Sequence, residues 1–505
     1  MKKIDLLSKK LTSALLVASF CLAGLCGCGQ DAPQDEAGME SEAIADAQVF
    51  PASDAGFVGD PMPYYEDGVF HVFYLADLRD GTVGYHPWAL YNTSDFCTYE
   101  DEGTVIPFGE TMEDQDIALG TGCVIKGNDG IYHAFYTGHN DTYEPKEAIM
   151  HATSSDMKTW TKVKEDTFYA NENYAKNDFR DPYVLYVEAE KQYWMLVSTR
   201  NATTGVLAKY TSTDLKDWTD AGVFFVNDMG SDSNLECSSL IQYKDKWYLS
   251  FSDQWPNRQF HYRVSDKLDG EFKIPDQDVV DGNGFYAGRL ETDGSNLYAF
   301  GWNGTKNSHL DSEDYNWGGN LVVHQLEQQN DGSLCPVLNA SVRDYMNHAC
   351  TIEPVQMSSS VSSEKGGYQF KGSEYEIVEF DQLLGSYLVN AKITNVAKSE
   401  QFGFAFDLNS EEVGNINLVF DVKENKIKFY NTPNLFQEDP QSEMDMKLSD
   451  MDEINISMLI SDGVVTMYVN DKVAFTARMY FSQGTNWGLF AINSDIKCEN
   501  IEQYK

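Results

Sequence analysis

One pattern repeated five times constrains this chain more than any other feature. A polar turn followed by an aromatic strand occurs as "YYEDGVFHVFY" (64–74), "KGNDGIYHAFY" (126–136), "VEAEKQYWMLV" (187–197), "QYKDKWYLSF" (242–251) and "ETDGSNLYAF" (291–300). Aligned on Phe70, Tyr132, Tyr193, Trp247 and Leu297, the copies are 62, 61, 54 and 50 residues apart. A second signature follows four of the strands: "NTSDFCTY", "ATSSDMKTW", "YTSTDLKDW" and "YRVSDKL" place Asp95, Asp156, Asp214 and Asp266 in matching turns. A unit of this length holds four short strands, and helical periodicity is scarce. Self-similarity at such a period marks a repeat architecture. Five such units predict an all-β fold, a five-bladed β-propeller over residues 51–330.

The heads of the strands preceding these aromatics carry the chemistry. Ten to twelve residues upstream stand Asp60 in "VGDPMPYY", Thr121 in "GTGCVI", Asp181 in "FRDPYVLY", Glu236 in "LECSSLI" and Tyr286 in "FYAGRL". The first strand of every propeller blade lines a central channel, so these positions are expected to converge at one mouth. Proline at the first position of a strand is unremarkable, since the ladder does not yet need its N–H. Charge there is different: Asp and Arg are rarely buried unless paired, and an unpaired charge heading an apolar strand is costly. Turn aspartates often cap turns for structural reasons, but the repeat already has its own turn aspartates elsewhere. Asp60, Asp181 and Glu236 are therefore read as a shared site, with Arg180 beside them.

Clustered carboxylates raise one another's proton affinity, so one can act as an acid while another stays ionised. Two carboxyls flanking a glycosidic bond are the machinery of sugar hydrolysis. The strand heads carry no histidine, there is no nucleophile-elbow serine, and no phosphate loop is visible. Three acids can hold a hard cation, but no dense acidic loop supports one, and neither a metal nor a cofactor is expected.

A proline-preceding aspartate in the first unit, "FRDP" in the third and "EC" in the fourth together resemble glycoside hydrolase family 32, the invertase, levanase and inulinase group. "GYHPWALYNTSD" is similar to that family's first-blade tryptophan segment, "GTGC" to its Ser-Gly-Ser stretch, and "FYAGRL" with "FGWNG" to its fifth-blade elements. The resemblance runs from about Phe57 to the C-terminus and implies a propeller followed by a β-sandwich. It implies retaining hydrolysis of fructosidic bonds, with Asp60 as nucleophile, Glu236 as general acid/base and Asp181 holding fructose hydroxyls. Arg180 would orient the carboxylates or the sugar, Trp88 and Trp302 would give aromatic surface near the substrate, and Thr121 and Tyr286 would complete its binding. The sequence departs from the family where W-x-N-D-P-N-G becomes "FVGDPMP": Phe57, Gly59, Met62 and Pro63 replace Trp, Asn, Asn and Gly. Leu75 and Leu235 stand where Gln and Trp are common. An altered sugar pocket around an intact acid trio is expected. Two other readings stay open: an inverting propeller glycosidase of arabinan or xylan type, and a glycan-capture protein without turnover.

The ends of the chain carry separate signals. Lys2, Lys3, Lys9 and Lys10 precede a fifteen-residue apolar stretch, Leu11 to Leu25, shorter than the roughly 20 residues that span a bilayer. Residues 1–28 thus read as a signal peptide, and "LCGC" resembles a bacterial lipobox whose last cysteine, Cys28, is acylated. The expected location is outside the cytoplasm, lipid-anchored to the bacterial membrane. Residues 29–50 read as a disordered tether, since 31–50 hold six acidic residues and no basic one. The whole chain has 37 basic and 79 acidic residues, a net charge of −42, which argues against nucleic acid and suits a neutral carbohydrate. Of nine cysteines, Cys97, Cys123, Cys237, Cys335, Cys350 and Cys498 lie beyond the leader. They match no zinc spacing and read as packed thiols. Residues 331–368, with "MSSSVSSEKGG", read as a flexible linker, and the alternating strands of 369–505 as a β-sandwich covering propeller surface.

Overall fold

The computed structural model describes residues 47–52, 56–78, 85–254, 257–364, 366–408, 414–435, 437–480 and 484–505. The five repeats become five blades. Blade one is β1 (Phe57–Glu66), β2 (Val69–Asp77), β3 (Trp88–Thr93) and β4 (Glu100–Ile106). Blade two is β5 (Ala118–Lys126), β6 (Tyr132–His139), β7 (Glu147–Ser154) and β8 (Thr161–Lys162). Blade three is β9 (Phe179–Val187), β10 (Gln192–Asn201), β11 (Thr204–Ser212) and β12 (Thr219–Val226). Blade four has β13 (Glu236–Tyr243), β14 (Lys246–Ser252) and β15 (Phe260–Ser265), with single bridges from Val279 and Lys273 in place of a fourth strand. Blade five is β16 (Tyr286–Thr292), β17 (Leu297–Lys306), β18 (Tyr315–Gln328) and β19 (Leu334–Val337).

Each blade is an antiparallel meander, and the aligned residues, four aromatics and Leu297, all head or lie in second strands. The inner strands β1, β5, β9, β13 and β16 each pack beside the next around the ring, and a bridge between Val58 and Gly319 joins blade five to blade one. Three of the four signature aspartates do the same job. Asp95, Asp156 and Asp214 each accept backbone N–H bonds two and three residues on, which holds Phe96, Met157 and Leu215 at positive φ. Asp266 differs, pairing with Lys246 at 2.6 Å instead.

The C-terminal sandwich packs an eight-stranded sheet on a seven-stranded one around a core that includes Phe404, Phe420, Ile454 and Trp487. Propeller and sandwich belong to one compact unit. A fully buried cluster fastens them. Asp281, between blades four and five, accepts the Thr476 N–H at 2.7 Å, the Thr476 hydroxyl at 2.5 Å and His324 Nε2 at 2.9 Å. His324 Nδ1 meets the Tyr468 hydroxyl at 3.0 Å.

Two expectations about the connections are corrected. Residues 331–368 are no flexible linker: they hold β19, an α-helix (Ala340–Tyr345) capped by Asn339, and paired strands at Ala349–Cys350, Pro354–Met357, Ser362–Glu364 and Gly367–Gln369. Strands of two to four residues are too short to show a period. Within the stretch read as a tether, Ala47, Val49 and Phe50 are buried in the propeller core, and the Phe50 and Pro51 carbonyls accept bonds from Asn320 and Leu321. The remainder of that stretch, the leader and Cys28 lie outside the described residues. The six described cysteines are free thiols, with Cys335 and Cys350 only half-buried.

Candidate active site

A β-bulge at the head of each inner strand builds the site. In every blade two residues of the inner strand oppose one of its neighbour: 60–61, 120–121, 181–182, 237–238 and 287–288. The first bulged residue is at positive φ in four blades, Asp60 at 40°, Asp181 at 57°, Cys237 at 53° and Ala287 at 53°. For residues other than glycine this is uncommon, and it re-aims side chains at strand ends. The bulge also corrects the register read from sequence. Asp60 and Asp181 share the first bulge position, whereas Glu236 and Tyr286 sit one residue earlier, level with Arg180, and Thr121 one residue later.

That offset makes a row from blades three, four and five. Arg180 Nη2 donates to Glu236 Oε1 at 3.2 Å, and the Tyr286 hydroxyl donates to Glu236 Oε2 at 2.6 Å. Arg180 is held in turn by Asp178 Oδ1 at 2.5 Å and Glu147 Oε1 at 3.3 Å, while Glu147 Oε2 accepts the Phe179 N–H at 2.7 Å. The aspartate row is supported separately. Asp181 Oδ2 accepts the Cys237 N–H at 3.0 Å, its own N–H donates to Thr137 Oγ1 at 2.9 Å, and Trp302 Nε1 donates to Asp60 Oδ1 at 3.1 Å.

The carboxylates feel one another. Asp60 is pushed up to about 7, first by burial and then by the charges of Asp181 and Glu236, against the pull of the Trp302 N–H. Asp181 is raised to about 6 by burial and by Glu236, with Arg180 opposing. Asp60 and Asp181 therefore take up protons much closer to neutral pH than free aspartates do. Such an arrangement can hold one acid and one base at once.

Of four expected substrate contacts, two lie away from the site and two reach it in another role. Trp88 is fully buried, packed on Phe73 and Tyr136 with its N–H on the Gly120 carbonyl, because its register opposite Leu75 turns it into the seam between blades one and two. Thr121 is also buried, and its carbonyl accepts the Thr137 hydroxyl that supports Asp181. Trp302 and Tyr286 do reach the site, as buried donors that hold Asp60 and Glu236 rather than as an open aromatic face.

Three contributors lie outside the inner strands. Gln254 donates to Glu236 Oε1 at 2.9 Å, Glu147 steadies Arg180, and Trp317 occupies the space of a missing side chain. A Cβ on Gly59 would lie 2.2 Å from the Trp317 ring. That half-buried ring stacks on His86 at 4.3 Å and lies 5.7 Å from Trp302. Gly59 of "FVGDPMP" is thus what lets Trp317 approach. Met62 from the same motif is buried and accepts the Gly122 N–H at 3.0 Å.

Comparison with known proteins places this geometry. The glycosyl hydrolases family 32 N-terminal domain matches residues 52–335, more than half of the chain. A levanase of Bacillus subtilis is 28% identical over 218 residues, 39% of this chain and 30% of that one. The chain therefore spans about a third of that relative. A sucrose-6-phosphate hydrolase of Pediococcus pentosaceus is 22% identical over 453 residues, 85% of each. The solved structure of sucrose-6-phosphate hydrolase from Lactobacillus gasseri shares the fold, with a TM-score of 0.68 at 17% identity over 91% of this chain and 92% of that one.

Proposed function

The chain belongs to glycosyl hydrolase family 32, and we propose that it hydrolyses fructosidic bonds of sucrose, fructo-oligosaccharides or fructans with retention of configuration. The observation that carries this reading is the convergence of Asp60, Asp181 and Glu236 from blades one, three and four: Asp181 accepts the N–H of Cys237, the neighbour of Glu236, and Tyr286 on Glu236 meets Trp302 on Asp60 at 5.7 Å. Asp60 attacks the anomeric carbon as the bond to the leaving oxygen breaks, and Glu236 gives that oxygen its proton. Water then attacks the fructosyl ester, its proton returning to Glu236 as Asp60 departs. Asp181 receives the sugar hydroxyls. Arg180 and Tyr286 aim Glu236, and Trp302 aims Asp60.

The sugar pocket is proposed to be remodelled by the exchange of a polar side chain at Gly59 for the Trp317 ring against His86. Residues 1–28 are proposed to be a lipoprotein signal, with Cys28 acylated and the protein held outside the cytoplasm on a bacterial membrane; the apolar stretch of Leu11–Leu25 and "LCGC" support this. The propeller is the proposed catalytic domain, and the sandwich a cover fastened by Asp281.

Incubation of the purified protein with sucrose, inulin, levan and arabinan tests the function. Release of fructose is expected. Arabinose release would instead support the arabinan-type reading, and binding without any released sugar the capture reading.

A further inference from the structure

We propose that Gln254 is a positioning residue that closes a ring of side chains on one oxygen of Glu236, leaving the other oxygen, Oε2, to carry the transferable proton. This rests on the hydrolase reading above.

The ring closes bond by bond. Gln254 Nε2 donates to Glu236 Oε1 at 2.9 Å, and Gln254 Oε1 accepts from Arg200 Nη2 at 3.3 Å. Arg200 Nε donates to Asp178 Oδ2 at 2.5 Å, Asp178 Oδ1 accepts from Arg180 Nη1 at 2.5 Å, and Arg180 Nη2 returns to Glu236 Oε1 at 3.2 Å. The register brings these groups together: β13 pairs Glu236 with Ser252, two residues before Gln254. The amide is also locked end for end. Its oxygen faces two donors, Arg200 Nη2 and the Asn234 N–H at 3.3 Å, so its nitrogen must face the carboxylate.

The two oxygens of Glu236 are consequently unlike. Oε1 takes two donors, from Gln254 and Arg180, and a proton placed there would oppose both. Oε2 takes one, from the Tyr286 hydroxyl, which leaves a lone pair for a proton. Oε2 is also the oxygen linked to Asp60, through Tyr286 and Trp302. Tyr286 and Trp302 are register partners, their rings meet edge-on at 5.7 Å, and Trp302 holds Asp60. In the first step the O–H bond at Oε2 breaks and its proton goes to the leaving oxygen, while an Asp60 oxygen bonds to the anomeric carbon. In the second, a water proton returns to Oε2 as the water oxygen displaces Asp60. Oε1 stays an acceptor throughout. A neutral amide suits that role, because it donates to Oε1 in both states of the acid without adding a charge of its own.

The test compares parent, Gln254→Met and Gln254→Glu on sucrose and on an aryl fructoside whose leaving group needs no protonation. Met keeps the length and loses the donor; Glu keeps the shape and replaces the donor with a second acid. Both variants are expected to lower kcat on sucrose roughly 10-fold to 10²-fold, as misplacement of a catalytic group does. KM for sucrose should change little, and kcat/KM on the aryl fructoside, which reports only the first step, should stay close to the parental value. Equal losses of kcat/KM on both substrates, a loss confined to KM, or parental kcat on sucrose would each overturn the positioning role. In an atomic-resolution structure at acidic pH, the Cδ–Oε2 bond of Glu236 is expected to be the longer one; a longer Cδ–Oε1 bond would refute the proton assignment. A parent that cleaves neither substrate would overturn the hydrolase reading itself.

Discussion

Trp302 donates its indole N–H to Asp60 at 3.1 Å across 242 residues of sequence, joining the last blade of the propeller to the first. It is the hydrogen bond that opposes burial and two neighbouring carboxylates in setting how readily Asp60 ionises.

The first prediction concerns pH and activity. Attack requires ionised Asp60, so kcat/KM should fall as pH drops through the range near 6 to 7 in which Asp60 and Asp181 take up protons. Trp302→Phe removes a bond to the charged form and should move this acid limb to higher pH. Asp181→Asn removes a repelling charge and should move it to lower pH in whatever activity remains. Coincident profiles for parent and both variants would mean that Asp60 does not control the limb.

Stability should respond to the same group in the opposite sense to most acids. Folded Asp60 keeps its proton up to about 7, whereas an unfolded aspartate releases it near 4. Its contribution is therefore fully present below about 4 and is lost as pH rises through 7. Asp60→Asn, neutral at every pH, should gain on the parent at pH 8 by something on the order of 2 kcal/mol and show little gain at pH 4. Denaturant unfolding at the two pH values reads the difference; a constant offset would contradict it.

Individual roles separate by leaving group. Asp60→Asn is expected to abolish turnover of every fructoside, and Glu236→Gln to spare only kcat/KM on activated ones, whose first step needs no proton, while loss of the base slows breakdown of the fructosyl ester for all. Asp181→Asn should lower kcat roughly 10²-fold, the size of one lost transition-state contact. Any of the three that retains parental activity leaves the site.

The buried Asp281 cluster predicts how the sandwich is held. Asp281→Ala strands His324 and Thr476 without their acceptor, and breaking a buried pair costs about 3 to 5 kcal/mol. Calorimetry should show a lower Tm and separation of the unfolding peak into two. A single unshifted peak would show that other contacts hold the domains together.

The five blades were legible because their period of aromatic strands is long-range and redundant. Asp60 and Asp181 were legible because each precedes a proline at a strand head. The one-residue offset of Glu236 and Tyr286 was not, since a bulge shifts the alternation by one residue and no residue type in the sequence marks where it falls. Trp88 misled for a related reason: an aromatic beside a motif looks the same whether it lines a pocket or fills a seam. Gln254 and Trp317 act from a hairpin and an outer strand, positions that no repeat alignment singles out, and the Gly59 exchange became intelligible only when Trp317 was seen filling the space.

Anchoring is tested at the leader. Cys28→Ser should release the protein from the membrane fraction or leave it uncleaved, visible as a change in partition and mobility. A variant that remains membrane-bound with parental mobility would contradict the lipoprotein reading.

The most direct test of the central claim, nucleophilic attack by Asp60 with Glu236 as acid and base, is the configuration of a trapped product. A retaining site passes through a fructosyl ester, which methanol intercepts from the same face the leaving group vacated. Sucrose hydrolysis in aqueous methanol, followed by carbon NMR at the anomeric position, should yield methyl β-fructofuranoside, a product that does not equilibrate as free fructose does. Formation of the α anomer would contradict the account and assign the carboxylates to an inverting mechanism.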